Sequence, residues 1–201
     1  MAAALDSPLG LQRLMAVDRV SISQKNTCFA NKYVVTTEGG ELIFNVKEDS
    51  SALAAMLGGS RRGFHMDMYD ANEKLVISLR RPYSLGVSKV EVTVCGALAS
   101  VVRQEPTFMK PVLSINDARD KPVLRVKGPV SVSCECNFEL LSLDKKRVGS
   151  ITKQWGGLAR EMFTRADQFC IRFPQDLDVR YKAAVIGTCL LIDFLYYEKS
   201  R

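Results

Sequence analysis

The side chains best suited to chemistry in this chain are six cysteines, one histidine and several adjacent cations. Cys28, Cys95, Cys134, Cys136, Cys170 and Cys189 form no CxxC pair, and only Cys134 and Cys136 are close in sequence. Zinc needs four nitrogen or sulfur ligands at suitable spacing. His65 has no second histidine to join it, so a zinc centre is not expected. A nucleophilic serine or cysteine needs a base beside it. His65 falls in the alternating run Phe64–Tyr69 and reads as a strand side chain, so an enzyme is not expected. The opening Met1–Leu5 is soon interrupted by Asp6 and Pro8, which argues against a secretory leader and for free thiols in a reducing compartment.

Lys and Arg total 28 against 22 Asp and Glu, a formal charge of +6 that fits an anionic partner. The candidate headgroup contacts are Arg61 and Arg62, Arg80 and Arg81, and the run Lys145, Lys146, Arg147. No helix-turn-helix, zinc finger or RNP pattern is present, so DNA is not an expected partner. Anionic phospholipid membranes and other proteins are the expected partner classes.

The elements that must position these groups are mostly strands. Between about Val20 and Lys153, period-two runs rich in β-branched residues recur, among them Glu41–Lys47, Lys74–Arg80, Lys89–Val94 and Pro122–Lys127. Turn signals separate them at Glu38–Glu41, Asp70–Glu73, Asn116–Asp120, Gly128–Pro129 and Asp144–Arg147. Ser50–Gly59 and Gly156–Phe163 break the pattern and suit short helical turns or loops. Gln168–Phe173 then resumes a strand, stopped by Pro174. Residues 1–9 read as a flexible N-terminus.

The chain's last segment is different. Asp176 is suited to cap a helix, and Ala183–Tyr197 is apolar on every face with Asp193 as its one charge. A helix apolar all round must lie in a protein core or a bilayer. Its 15 residues would span about 22 Å, short of the ~30 Å hydrocarbon core. Burying Asp193 at a bilayer centre would cost about 2.5–3.5 kcal/mol. The expectation is therefore a mainly β fold: a closed antiparallel barrel over about 18–174, enclosing a hydrophobic C-terminal helix over about 177–197. A single core domain then runs over 10–201. A bilayer span for the helix is the alternative.

Long ordered motifs near the C-terminus carry a resemblance. They are Gly149–Gly157 (GSITKQWGG), Ala159–Thr164, Ile171–Val179 (IRFPQDLDV) and Gly187–Phe194 (GTCLLIDF), with weaker matches at Leu9–Leu11, Arg80–Pro82 and Phe138–Asp144. In these the chain resembles the phospholipid scramblase family. The resemblance implies a tubby-like barrel of about twelve strands around a hydrophobic helix. It also implies bidirectional, ATP-independent, calcium-responsive movement of phospholipids between leaflets. The cytoplasmic face of the plasma membrane is the implied location, with a cytosolic or nuclear pool.

The family's twelve-residue calcium segment corresponds to Arg165 through Asp176, with Asp167 and Asp176 as carboxylates and Phe169, Ile171 and Phe173 between them. Arg165 stands in the first position, where the family has an acid, and Cys170 in the sixth, where a loop of this kind has glycine. Any calcium site is therefore expected to be weak or lost. A family segment for nuclear import overlaps Lys153 and Trp155 only in part. The family's acylated cysteine cluster falls on Tyr83–Ser88, which has no cysteine, so anchoring by two acyl chains is not expected.

Overall fold

In the computed structural model, residues 7–25, 32–49, 63–83, 85–130, 137–154 and 168–197 are described. After a short helix α1 (Leu9–Ala16) come twelve strands: β1 (Arg19–Lys25), β2 (Lys32–Thr36), β3 (Leu42–Glu48), β4 (Phe64–Tyr69), β5 (Leu75–Arg81), β6 (Lys89–Val94), β7 (Ala97–Glu105), β8 (Val112–Asp117), β9 (Pro122–Lys127), β10 (Asn137–Ser142), β11 (Arg147–Gln154) and β12 (Gln168–Arg172). Helix α2 (Val179–Ile192) follows and continues into a π turn (Asp193–Tyr197). Each strand pairs antiparallel with its neighbours in sequence, and β1 pairs with β12 to close the barrel. Closure leaves no unpaired sheet edge. Twelve strands also make a lumen wider than the eight-stranded barrel that side chains alone can fill.

The strands form because their side chains alternate. In β4, Phe64, Met66 and Met68 point inward while His65, Asp67 and Tyr69 alternate with them. Tight turns join β2 to β3, β4 to β5, β6 to β7, β8 to β9 and β10 to β11. Left-handed residues such as Glu73 (φ 57°), Cys95 (φ 50°), Asp120 (φ 63°) and Lys145 (φ 63°) permit them. A register shift accompanies each of these five turns. The bulges raise local twist and help the sheet curl shut. The longer connections all lie at the opposite end of the barrel. Ser50–Gly59, Gly156–Phe163 and Cys134/Cys136 fall outside the described residues.

Helix α2 fills the lumen. Every residue from Lys182 to Phe194 is buried, and α2 packs against β6, β7, β8 and β12. Fully burying a large aliphatic side chain contributes roughly 1.5–3 kcal/mol, so the apolar surface shared by helix and wall is the main source of stability. Gly187 sits where a Cβ would lie 3.0 Å from Leu79 Cδ2, allowing the helix to approach the wall closely. The helix begins later than the sequence suggests. Its N-cap is Asp178, which accepts a 2.9 Å hydrogen bond from the Arg180 amide. Asp176 stands instead in the turn that precedes it, where the Leu177 amide donates to the Pro174 carbonyl.

Helix α1 was not foreseen from sequence. It has eight residues, a proline at its N-cap and no cap of its own. Its ends are capped from elsewhere in the fold. Asp70, buried in the β4–β5 turn, takes the Gly10 amide at 3.3 Å on Oδ2, while its Oδ1 accepts from the Asn72 and Lys74 amides. Residue 10 must be small, because a Cβ there would fall 2.3 Å from the Phe44 ring. At the other end, the three N–H groups of the Lys182 ammonium are shared among the carbonyls of Leu14 (3.2 Å), Met15 (3.1 Å), Val17 (2.7 Å) and Gln175 (2.8 Å). A cation there complements the negative end of the helix dipole. Desolvation lowers the Lys182 pKa, and the four carbonyls replace the lost water. Leu11 and Leu14 of α1 join the core, so α1 closes the barrel end where α2 enters.

Two predictions follow from these contacts. Lys182→Met keeps the stem but strips four carbonyls of their donor, and should destabilise the fold by roughly 2–4 kcal/mol, read from the urea midpoint. On the surface, hydrogen bonds from Arg103 and then Asn116 hold the Asp120 carboxyl down at about 2. A depressed carboxylate stabilises the fold fully above its unfolded pKa, near 3.8, and loses that contribution as pH falls through about 2. Carboxyl-carbon NMR should place the Asp120 midpoint near 2, and Arg103→Gln should return it toward 3.8.

Candidate functional site

Strand alternation decides which of the candidate cations reach solvent. Consecutive residues on a strand face opposite sides, so a dibasic pair there cannot put both charges outside. Arg80 is exposed on the outer face of β5. Arg81 is buried: its Nη2 donates to Ser88 Oγ at 3.0 Å and its guanidinium lies 4.8 Å from the Phe194 ring centre. Arg81 is therefore corrected from a headgroup candidate to an interior residue. Lys145, Lys146 and Arg147 are exposed at the β10–β11 turn, where Lys146 pairs with Asp144 at 3.0 Å. Arg61 and Arg62 lie outside the described residues.

The interior holds a polar constellation at the far end of α2. The Tyr33 hydroxyl donates to Asp193 Oδ2 at 2.8 Å, and the Lys153 ammonium stands 3.7 Å from Oδ1. The same ammonium lies 3.9 Å from the Tyr197 ring centre and 5.3 Å from that of Phe169. Lys153, expected in an import-like surface segment, is instead inside the barrel, buried with its carboxylate partner. Trp155 lies outside the described residues. One turn before Asp193, burial first and the carboxylate second push the Cys189 thiol well above its ordinary pKa, leaving it a small apolar side chain.

Three aromatic pairs then seal this end. Phe194 meets Phe64 at 5.2 Å, Tyr196 meets Phe138 at 6.4 Å and Tyr197 meets Phe169 at 6.0 Å, so the π turn is joined to β4, β10 and β12. Burial raises the Tyr196 pKa. None of these partners was marked out by sequence spacing. The sequence did single out Asp193, the one charge in the apolar run Ala183–Tyr197, but not the groups that meet it.

The segment matched to a calcium loop is built differently from such a loop. Gln168–Arg172 is extended and paired with β1 on one side and β11 on the other. Phe169, Ile171 and Phe173 point into the core. Asp176 is exposed beyond the strand, and Asp167 is outside the described residues. Calcium requires six to eight oxygens converging on one point. An extended strand spreads its carbonyls along a line instead, so the described part of this segment does not fit a resident EF-hand ion. Among the described residues no group of three or more His, Cys, Asp or Glu could hold a metal.

On the outer face, a depression of about 540 Å³ crosses β10, β11 and β12. Arg147 and Arg172 line it together with Asn137, Ser150, Thr152 and Cys170. Two guanidiniums and two hydroxyls can receive a phosphate-sized anion. Elsewhere on the surface, Ser78 Oγ donates to Asp67 Oδ1 at 2.6 Å and His65 Nε2 lies 3.1 Å from the same oxygen. The carboxylate stands between hydroxyl and imidazole, and a nucleophile would need the reverse order, with the imidazole beside the hydroxyl.

Comparisons with known proteins agree along the whole chain. The Scramblase family model matches residues 1–199. Phospholipid scramblase 2 of Bos taurus is 34% identical over 98% of this chain and 74% of its own length. Phospholipid scramblase 1 of Homo sapiens is 33% identical over 98% of this chain and 68% of its own length. A protein from Arabidopsis thaliana, solved by X-ray crystallography, aligns with a TM-score of 0.55 at 16% identity, over 90% of this chain and 95% of the other. That likeness is one of fold alone, a tubby-like barrel.

The interior pair generates a test. Removing one partner strands a buried charge, so Asp193→Ala and Lys153→Met should each cost about 3–5 kcal/mol. The double variant should cost less than the sum of the two, with a coupling of at least about 1 kcal/mol in denaturation experiments.

Proposed function

From the premise that this chain belongs to the scramblase family, we propose that it is a phospholipid scramblase-like protein, moving phospholipids between leaflets in both directions without ATP. The observation that carries the reading is the family match over residues 1–199. Fold by itself does not imply function, and the geometry bears on how the activity would work. No helix of the described residues is long and apolar enough to cross a membrane, and α2 is enclosed by the strands. Contact with lipid then falls to the outer surface, with the Arg147–Arg172 depression receiving a phosphate headgroup. Perturbing the bilayer from its surface lowers the barrier to crossing. A cationic surface suits the anionic cytoplasmic leaflet of the plasma membrane.

A second reading is a non-catalytic module that binds phospholipid or protein. The filled lumen favours it, since the barrel interior offers lipid no passage. Calcium belongs to either reading only as a weak ligand, near millimolar or poorer, with Asp176 and Asp167 as the available carboxylates.

Proteoliposomes carrying fluorescent phospholipid separate the two readings. The first expects ATP-free loss of inner-leaflet protection above protein-free vesicles, slowed several-fold by Arg147→Glu with Arg172→Glu. Vesicle binding without any flipping selects the second. Titration calorimetry should detect no micromolar calcium site; a micromolar site lost in Asp167→Ala would overturn the calcium part.

A further inference from the structure

One end of the barrel carries apolar side chains in open solvent. The described parts of three connections meet there: residues 82–83 and 85–88 between β5 and β6, 106–111 between β7 and β8, and 128–130 after β9. Phe108 is fully exposed, Leu85 is 75% exposed and Met109 67%. Val87 and Val130 are exposed with them. Val87, Phe108, Met109, Lys110 and Val130 share one surface depression of about 450 Å³, with Tyr196 of the π turn at its edge. Single exposed apolar residues need no explanation, but a cluster on converging loop tips marks a contact surface.

The charges around the cluster are layered. Lys110 stands beside Met109. Arg80 lies three residues before Tyr83, and Lys127 three before Val130, both on outer strand faces. At about 3.3 Å per extended residue these two cations sit at most roughly 10 Å behind the tips. That is the depth over which apolar groups of an interfacial protein enter the acyl boundary while cations stay at headgroup level. The described residues of these connections include one lysine and no carboxylate; the exposed Asp49, after β3, lies at the same end. Glu105, next to the 106–111 connection, is held by Arg125 at 3.0 Å. At the opposite end, Glu38, Glu41, Glu73, Asp120 and Asp144 share the tight turns with Lys74, Arg119, Lys121, Lys145 and Lys146, and among the described residues no apolar cluster accompanies them. What sets this end apart for an anionic bilayer is the cluster of exposed apolar tips, with Lys110 among them and Arg80 and Lys127 behind.

We propose that this end of the barrel is where the protein docks on an anionic phospholipid bilayer, with Leu85, Val87, Phe108, Met109 and Val130 entering the acyl boundary and Arg80, Lys110 and Lys127 meeting headgroup phosphates. The inference rests on the membrane reading above and adds to it the face that docks. It also orients the outer depression, since Asn137 begins β10 and Gln154 ends β11 at this same end, and both line it. Arg147 and Arg172 stand at its other end, by the tight turns, so they take no part in docking and would meet only a headgroup drawn along the groove. A protein partner would need a broad complementary surface of roughly 1,000 Å² or more in total. Side chains standing out from neighbouring loops, with Phe108 fully exposed, suit a fluid surface better.

Flotation on vesicles of phosphatidylcholine alone, and of phosphatidylcholine with about one third phosphatidylserine, tests the docking end. The substitutions are Phe108→Asp with Met109→Asp, and Leu143→Asp as an exposed control at the opposite end. The double variant should lower partitioning onto the mixed vesicles by about tenfold or more, the control by less than about twofold, with thermal melts unchanged for both. In a Trp155→Phe background, Phe108→Trp should shift its emission to the blue on mixed vesicles and be quenched by brominated acyl chains. Wild-type binding that survives the double substitution, or emission that stays unshifted, overturns the docking end and leaves the membrane reading standing. Wild-type protein that floats with neither vesicle overturns both. A change confined to oligomeric state would mean that a second copy, and not lipid, covers the tips.

Discussion

The structure depends on enclosing a helix that is apolar all round. A helix with no polar face has no place at a protein surface, and α2 meets that constraint by running through a barrel made by the rest of its own chain. Closure of the wall by β1 and β12 follows from the same need, because an open sheet would leave part of the helix wet. The two charges carried inward are each given partners: Lys182 by carbonyls around the end of α1, and Asp193 by Tyr33 and Lys153. The helix is thus fixed near both ends by polar contacts and along its length by packing. α1 closes one end of the lumen and the aromatic π turn the other.

Filling the lumen moves any lipid chemistry to the outside. The interior cations Arg81, Lys153 and Lys182 serve the fold, while Arg80, Lys110, Lys127, Arg147 and Arg172 remain on outer faces or connections. The two ends of the barrel also differ in kind. One carries tight, bulged turns with carboxylates, and the other carries longer connections with apolar tips. That difference between the ends is what the proposed docking orientation rests on.

The calcium segment shows how a linear motif can be overruled by its surroundings. Phe169, Ile171 and Phe173 alternate as core residues, and both neighbours of β12 hold its backbone extended. A loop that gathers oxygens around an ion needs the same stretch to curl. Hydrophobic burial and two hydrogen-bonded ladders hold it straight, and by sequence the loop's first position offers an arginine where a carboxylate ligand would be needed.

The sequence by itself determined the class of fold. Period-two alternation marked strands at Glu41–Lys47, Phe64–Tyr69 and Pro122–Lys127, and the unbroken apolar stretch after Lys182 required apolar surroundings, because both signals are local consequences of which faces are apolar. It did not reveal α1, whose caps come from Asp70 and Lys182, some 60 and 170 positions away. Nor did it separate Arg80 from Arg81 or place Lys153 beside Asp193. Those outcomes depend on strand register and on which side of a closed wall a residue faces, and only pairing between distant segments sets either of them.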